Sequence, residues 1–179
     1  YNSMKNRIAG AYKIKTDTEE GILALKNWVY DHLGKSDVGG VASFYANVPY
    51  NAVLLNDTTP EGGKHVLTEW YPNPTHALTV VGYNDSVRWD YNGDGMYTNH
   101  LDINDDGVID PKDWEIGAVK IVNSHGVNQL DSGYCYMMYK VLAEDIEDGG
   151  IWNQAVHIVD AISDYEPELT LKIQLEHDS

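Results

Sequence analysis

Between residues 90 and 113, oxygen-bearing side chains recur at alternate positions. The run Asp90-Tyr91-Asn92-Gly93-Asp94-Gly95 returns twelve residues later as Asp102-Ile103-Asn104-Asp105-Asp106-Gly107. Alternation turns the oxygens toward one centre, and a glycine in sixth place allows the bend that brings later donors back to it. A cation that takes about six to eight hard oxygens in such a loop is calcium. The second run continues through Val108 to Asp113, so Asp102, Asn104, Asp106, the Val108 carbonyl, Asp110 and Asp113 fill a complete ligand set. The first supplies Asp90, Asn92, Asp94 and, in seventh place, Met96. Its twelfth place is Leu101, which has no donor, so Asp102 is expected to serve or be shared. The plainer alternative is a solvated acidic loop held by Asx-turns. Against it, the seven acids of this stretch are offset among Lys and Arg only by Lys112.

The second run resembles an EF-hand loop with Asp in place of the usual closing Glu. A spacing of twelve leaves no room for a helix between the copies. The pair is therefore more similar to the tandem calcium repeats of thrombospondin-like segments than to paired EF-hands. A dockerin, whose two loops are separated by a helix, is disfavoured for the same reason.

A second set of residues brackets the acidic segment. Before it stands Asn73-Pro74-Thr75-His76-Ala77, an apolar run and Gly82-Tyr83; after it stand Asn123-Ser124-His125-Gly126 and Gly133-Tyr134-Cys135-Tyr136. Taken singly, a histidine before a strand is usually a turn residue, and an asparagine after one merely ends it. Together the two motifs resemble the C-terminal, His/Asn-bearing half of a papain-like cysteine peptidase, of a secreted bacterial type with a calcium-loop insertion. The resemblance covers most of residues 11–145. It implies His76 as general base and Asn123 as the side chain that orients it, because a thiol needs an imidazole partner to become a nucleophile at neutral pH. The family's tryptophan after Asn-Ser is His125 here.

No nucleophile-bearing half is recognisable. Cys135 lies in a strand between two tyrosines and reads as a buried, inert thiol. Two functions follow: a peptidase module whose cysteine lies outside this chain, acting on a peptide or protein, or an inactive module serving binding or scaffolding. The resemblance implies a multimodular setting with neighbouring modules, cellulosomal proteins included. A glycan-binding module is a third class, resting on Trp70, Tyr71 and Trp89 as stacking surfaces.

The elements that must hold these residues are mostly strands. Strands are expected at Ala11–Lys15, Val41–Val48, Val66–Trp70, His76–Tyr83, Gly117–Asn123, Gly133–Lys140 and Leu169–Leu175. One helix follows Asp17, its expected N-cap, with Ile22, Leu25, Val29 and Leu33 on one face and Gly34 as its stop. Ile151–Ala161 is left open between helix and strand, and Trp114–Gly117 reads as an anchor for the Asn123 strand. The expected class is α+β: an antiparallel sheet or barrel-type half, papain-like, with one main helix and the calcium segment 90–113 inserted into a single module spanning 1–179.

Composition narrows the partners. With 28 acids against 12 Lys and Arg, the formal charge of −16 repels nucleic acid and anionic membrane surfaces. No apolar run is long enough for a membrane-spanning helix. The one cysteine forbids an internal disulfide. Calcium ligands favour an extracellular location, where weak sites fill. Tyr1 as first residue suggests that processing has removed upstream sequence. His65, His100 and His157 stand isolated and read as structural or surface residues.

Overall fold

The period-two alternation around residues 76–88 and 116–122 and the helical period of residues 19–31 dictate different partners. The strands pair, and the helix lays its apolar face on them. A computed structural model describes residues 5–47, 52–162 and 164–166. It shows an α+β architecture, mostly sheet with one main helix. The strands are β1 (Arg7–Lys15), β2 (Ala42–Ala46), β3 (Ala52–Leu54), β4 (His65–Leu67), β5 (His76–Arg88), β6 (Ile116–Val122), β7 (Tyr134–Met138) and β8 (Ala155–Ile162). They form one sheet in the order β1-β8-β2-β5-β6-β7-β4-β3. β2–β5, β5–β6 and β6–β7 pair antiparallel, while β4 joins β7 in parallel. Contacts separate the chain into a larger unit, 13–158, and a smaller one, 1–12 with 159–179. In the smaller unit Tyr165 N–H donates to Lys5 O at 2.7 Å, and the Arg7 guanidinium lies over the Tyr165 ring.

Helix α1 (Glu19–Asp31) begins one residue later than expected. Thr18, not Asp17, is the cap: its side chain accepts from Gly21 N–H, satisfying one of the unpaired donors of the first turn. The helix ends at His32, which is left-handed, as is Leu33 after it. Leu33 therefore falls beyond the apolar face and is exposed, and Trp28 joins Ile22 and Leu25 against the sheet instead. Lys26 ties α1 to β5 through Asp85 at 2.7 Å, and Tyr139 O–H donates to the same carboxylate.

The core lies on the sheet face bearing Phe44, Leu78, Val80, Val119, Ile121 and Met137, all buried. Other boundaries differ from expectation for local reasons. β5 runs to Arg88, past Tyr83, through register shifts that let its far end follow β6. β7 stops at Met138, and the chain turns into a short helix, α2 (Tyr139–Ala143). Gly117 has φ +104°, and a side chain there would strike the Tyr139 ring, so only glycine lets α2 close over the start of β6. Val66–Trp70 yields only the three-residue β4, and β3 forms where no strand was expected. The open segment Ile151–Ala161 becomes a 3-10 turn followed by β8. The strand expected at Leu169–Leu175 lies outside the described residues. No helix among the described residues is long and apolar enough to cross a membrane.

Candidate functional site

His76 opens β5 and Asn123 immediately follows β6. The two strands are antiparallel, with Thr79 opposite Val122, so both residues sit at the same end of the pair. The approach to His76 is fastened from β2. Thr75 N–H donates to Ala46 O at 2.9 Å, and Thr75 Oγ1 donates to Asn47 Oδ1 at 2.9 Å. The Asn47 amide in turn donates to Pro72 O. Asn123 is fixed by its own N–H donating to Gly133 O.

The outcome is a direct side-chain contact: His76 Nε2 lies 2.9 Å from Asn123 Oδ1. An amide oxygen only accepts, so the ring nitrogen facing it carries the proton. In the neutral ring, Nδ1 is then the basic atom. The His125 ring stacks on His76, centroids 5.5 Å apart and planes 29° from parallel. An aromatic ring thus covers one face of His76. His76 is half-buried and His125 exposed, so the pair is reachable from solvent.

Cys135 is elsewhere. It pairs with Ile121 in the β6–β7 ladder and is 5% exposed. Burial, aided by the charge of Asp131, pushes its thiol up to about 12. A thiol so placed is a packing residue. Trp70 is also buried and donates to Met137 Sδ, which removes it as a sugar-stacking surface. Of the isolated histidines, His65 pairs with Asp131 at 2.9 Å and His157 packs beside Tyr45.

The acidic segment occupies the opposite end of the same strand pair, between Arg88 and Ile116. Its two loops share one backbone. The fourth residues, Gly93 and Asp105, and the sixth, Gly95 and Gly107, are all left-handed. Their side-chain bonds also match. Asp90 accepts from Gly95 N–H at 2.9 Å and Asp102 from Gly107 N–H at 2.8 Å. Asn92 accepts from Asp94 N–H and Asn104 from Asp106 N–H, both at 3.0 Å. Asp94 and Asp106 accept from Met96 and Val108 N–H. Asp110 accepts from Lys112 N–H and caps a 3-10 turn, Pro111–Asp113.

The fit to calcium rests on donor chemistry. Carboxylate, amide and main-chain oxygens at alternate positions suit a hard cation, and no thiolate or imidazole is in either set. Among the described residues, however, no group of three or more His, Cys, Asp or Glu side chains is placed to hold a metal ion. The carboxylates are turned to the N–H groups of their own loops, and several of the ligands named from the sequence are amide or main-chain oxygens.

Asp102 sits in the second loop, where its two oxygens accept from Asp106 and Gly107 N–H, and Leu101 is exposed. A residue the sequence reading passed over, Glu115, is fully buried beneath the first loop. Glu115 accepts from Tyr91 N–H at 2.8 Å and from Thr98 N–H at 3.2 Å. The only signal for it was its place inside Trp114–Gly117, read as an anchor. That anchor is present: Glu115 N–H donates to Thr98 O, and the Asn99 side chain bonds both N–H and C=O of Ile116. From the other side, Lys140 of α2 donates to Lys112 O and pairs with Glu144. Tyr91 is sunk between them with its O–H on Thr68 O, and burial among Glu144, Glu69 and Glu115 raises its pKa well above the usual value.

No family model and no curated protein matches the sequence. Among solved structures the chain is similar to a clostridial cysteine protease, Cwp84, after propeptide cleavage. The TM-score is 0.43 at 17% identity, over 88% of this chain and 30% of that one. The likeness is remote, and the chain spans under a third of that protein's length.

Proposed function

We propose that this chain is the His/Asn-bearing portion of a papain-like cysteine peptidase site, with its nucleophilic cysteine outside residues 1–179, and that calcium in the 90–113 segment stabilises it. The observation that carries the reading is the 2.9 Å contact of His76 Nε2 with Asn123 Oδ1. It leaves Nδ1 to take the proton of an incoming thiol. The thiolate sulfur then attacks the peptide carbonyl, and His76 returns the proton to the departing amine. Water hydrolyses the thioester with the same ring as base. Asn123 holds the ring in the tautomer that this exchange requires.

A second reading, an inactive module that binds a peptide or a neighbouring module, is favoured by one fact. The chain's single cysteine is buried with its thiol held protonated. An extracellular setting, where calcium is plentiful, suits either reading.

The test is labelling of the natural full-length protein with an epoxide inhibitor of cysteine peptidases. The peptidase reading expects one covalent adduct, on a cysteine outside this chain, and its loss in His76→Ala. A folded protein that forms no adduct establishes the binding module instead.

A further inference from the structure

We infer that the groove between the start of α1 and the second acidic loop is a docking site for a basic peptide segment that also carries apolar side chains. The inference is independent of the calcium and peptidase readings, and neither His76 nor Asn123 lines the groove. Its volume is about 610 Å³. One part of its lining is apolar. Val108 and Ile109, adjacent in the loop, are 57% and 56% exposed, and Pro111 and Trp114 extend the same surface. A single exposed apolar residue is ordinary, but these four line one concavity, which is the mark of a surface that a partner covers.

Charge decides what that partner is. Asp17, Glu19, Glu20 and Asp110 place four carboxylates in the same lining. Among the described residues no Lys or Arg lines the groove, and Glu19 and Glu20 form no ion pair. Asp17 lies 3.8 Å from Lys15, an exposed pairing that offsets little of its charge. The formal charge of −16 adds to the same field. An acidic segment is therefore repelled, and an uncharged one leaves the carboxylates unmatched. A segment that sets Lys or Arg beside leucine-like side chains complements both parts of the lining. Both walls are fixed in advance. Thr18 caps α1 by accepting from Gly21 N–H, Val108 N–H donates to Asp106, and Asp110 accepts from Lys112 N–H to cap the turn that bears Pro111. Docking on a wall already ordered costs less than ordering one on contact.

The test is fluorescence anisotropy of a dye-labelled hexapeptide of alternating lysine and leucine, titrated with the chain at low salt. Peptides of lysine with serine and of glutamate with leucine are the comparisons, and both are expected to bind more weakly. Ile109→Ser is expected to weaken binding about tenfold through lost apolar contact. Val108→Ser serves in its place should that variant fail to fold by circular dichroism. The double variant Glu19→Gln, Glu20→Gln is expected to weaken binding about fivefold, an effect that salt removes. Glu147→Gln with Asp148→Asn takes the same charge from a turn outside the groove and is expected to bind as the wild type does. A lysine–serine or glutamate–leucine peptide that binds as tightly as lysine–leucine overturns the inference. So does equal weakening by the two charge variants, which would mean attraction to the whole acidic surface, and so does a wild type that binds none of the peptides.

Discussion

The two ends of the β5–β6 pair are built from opposite materials. At one end His76 and Asn123 meet half-buried through one side-chain bond, with His125 laid over the ring. At the other, Asp113 and Glu115 are fully buried, and both accept from backbone N–H groups of the loops. Seven residues of β6 at about 3.3 Å each put roughly 20 Å between the ends. The acidic segment therefore does not touch the His–Asn pair. It anchors the start of β6 through the bonds of Glu115 and Ile116 to Thr98 and Asn99. The difference teaches that stability and chemistry are separated along one hairpin, so perturbing either end has its own signature.

The largest contrast is expected from His76→Ala in the full-length protein. Peptidase activity, if the cysteine is supplied, falls by roughly 10²–10⁴-fold, the range of a general base. The melting temperature stays near wild type, because a half-exposed side chain that bonds one asparagine contributes little to folding. Steady-state kinetics and a thermal melt on the same preparation check both halves. A large drop in melting temperature with activity retained would reverse the assignment of roles.

On the proposal that calcium fills the acidic loops, removing it acts on the other end. An ion at a hundredfold over its Kd adds about 2.7 kcal/mol. In a chain of this size that corresponds to about 5–10 °C in melting temperature. Calorimetry with and without a chelator reads the shift, and an unchanged melting temperature counts against the stabilising role.

Gly107→Ala sharpens the loop geometry. A side chain there meets no atom within 4 Å, so its cost comes only from φ +87°. The left-handed penalty of about 1–2 kcal/mol is the expected loss, read by denaturant unfolding. A neutral substitution would mean that the loop backbone is not held as described.

The smallest effect concerns Cys135. Its thiol, raised by burial to about 12, resists alkylation at pH 8 until the protein unfolds. Because the folded value lies above the ordinary one near 9, its contribution to stability is intact below pH 9 and is lost as pH rises toward 12. Mass spectrometry after alkylation and alkaline melts check the two halves of this statement.

Much of this division was legible in the residues. The spacing of Asp90 to Gly95 and Asp102 to Gly107 gave the two loops, and the observed left-handed glycines occupy the sixth places it marked. The His76 and Asn123 motifs were read from opposite sides of a long insertion, and the fold brings them within hydrogen-bond distance. Glu115 was not legible, because its partners Tyr91 and Thr98 lie 24 and 17 residues earlier and donate backbone N–H groups that no side-chain pattern advertises. The stop of α1 was misplaced because His32 and Leu33 accept left-handed geometry before Gly34 is reached. The turn of β7 into α2 was missed because Tyr139 to Ala143 is as apolar as the strand before it.

The central claim is that Asn123 holds His76 with Nε2 protonated and Nδ1 free to act as base, independently of the acidic end. Long-range proton–nitrogen NMR of the histidine rings tests it directly on this chain, recorded at a pH where the ring is neutral, with calcium and after chelation. The account predicts a protonated Nε2 and an unprotonated Nδ1 for His76 in both spectra, and loss of that preference in Asn123→Ala. A proton on Nδ1, or an even mixture of tautomers in the wild type, would contradict it.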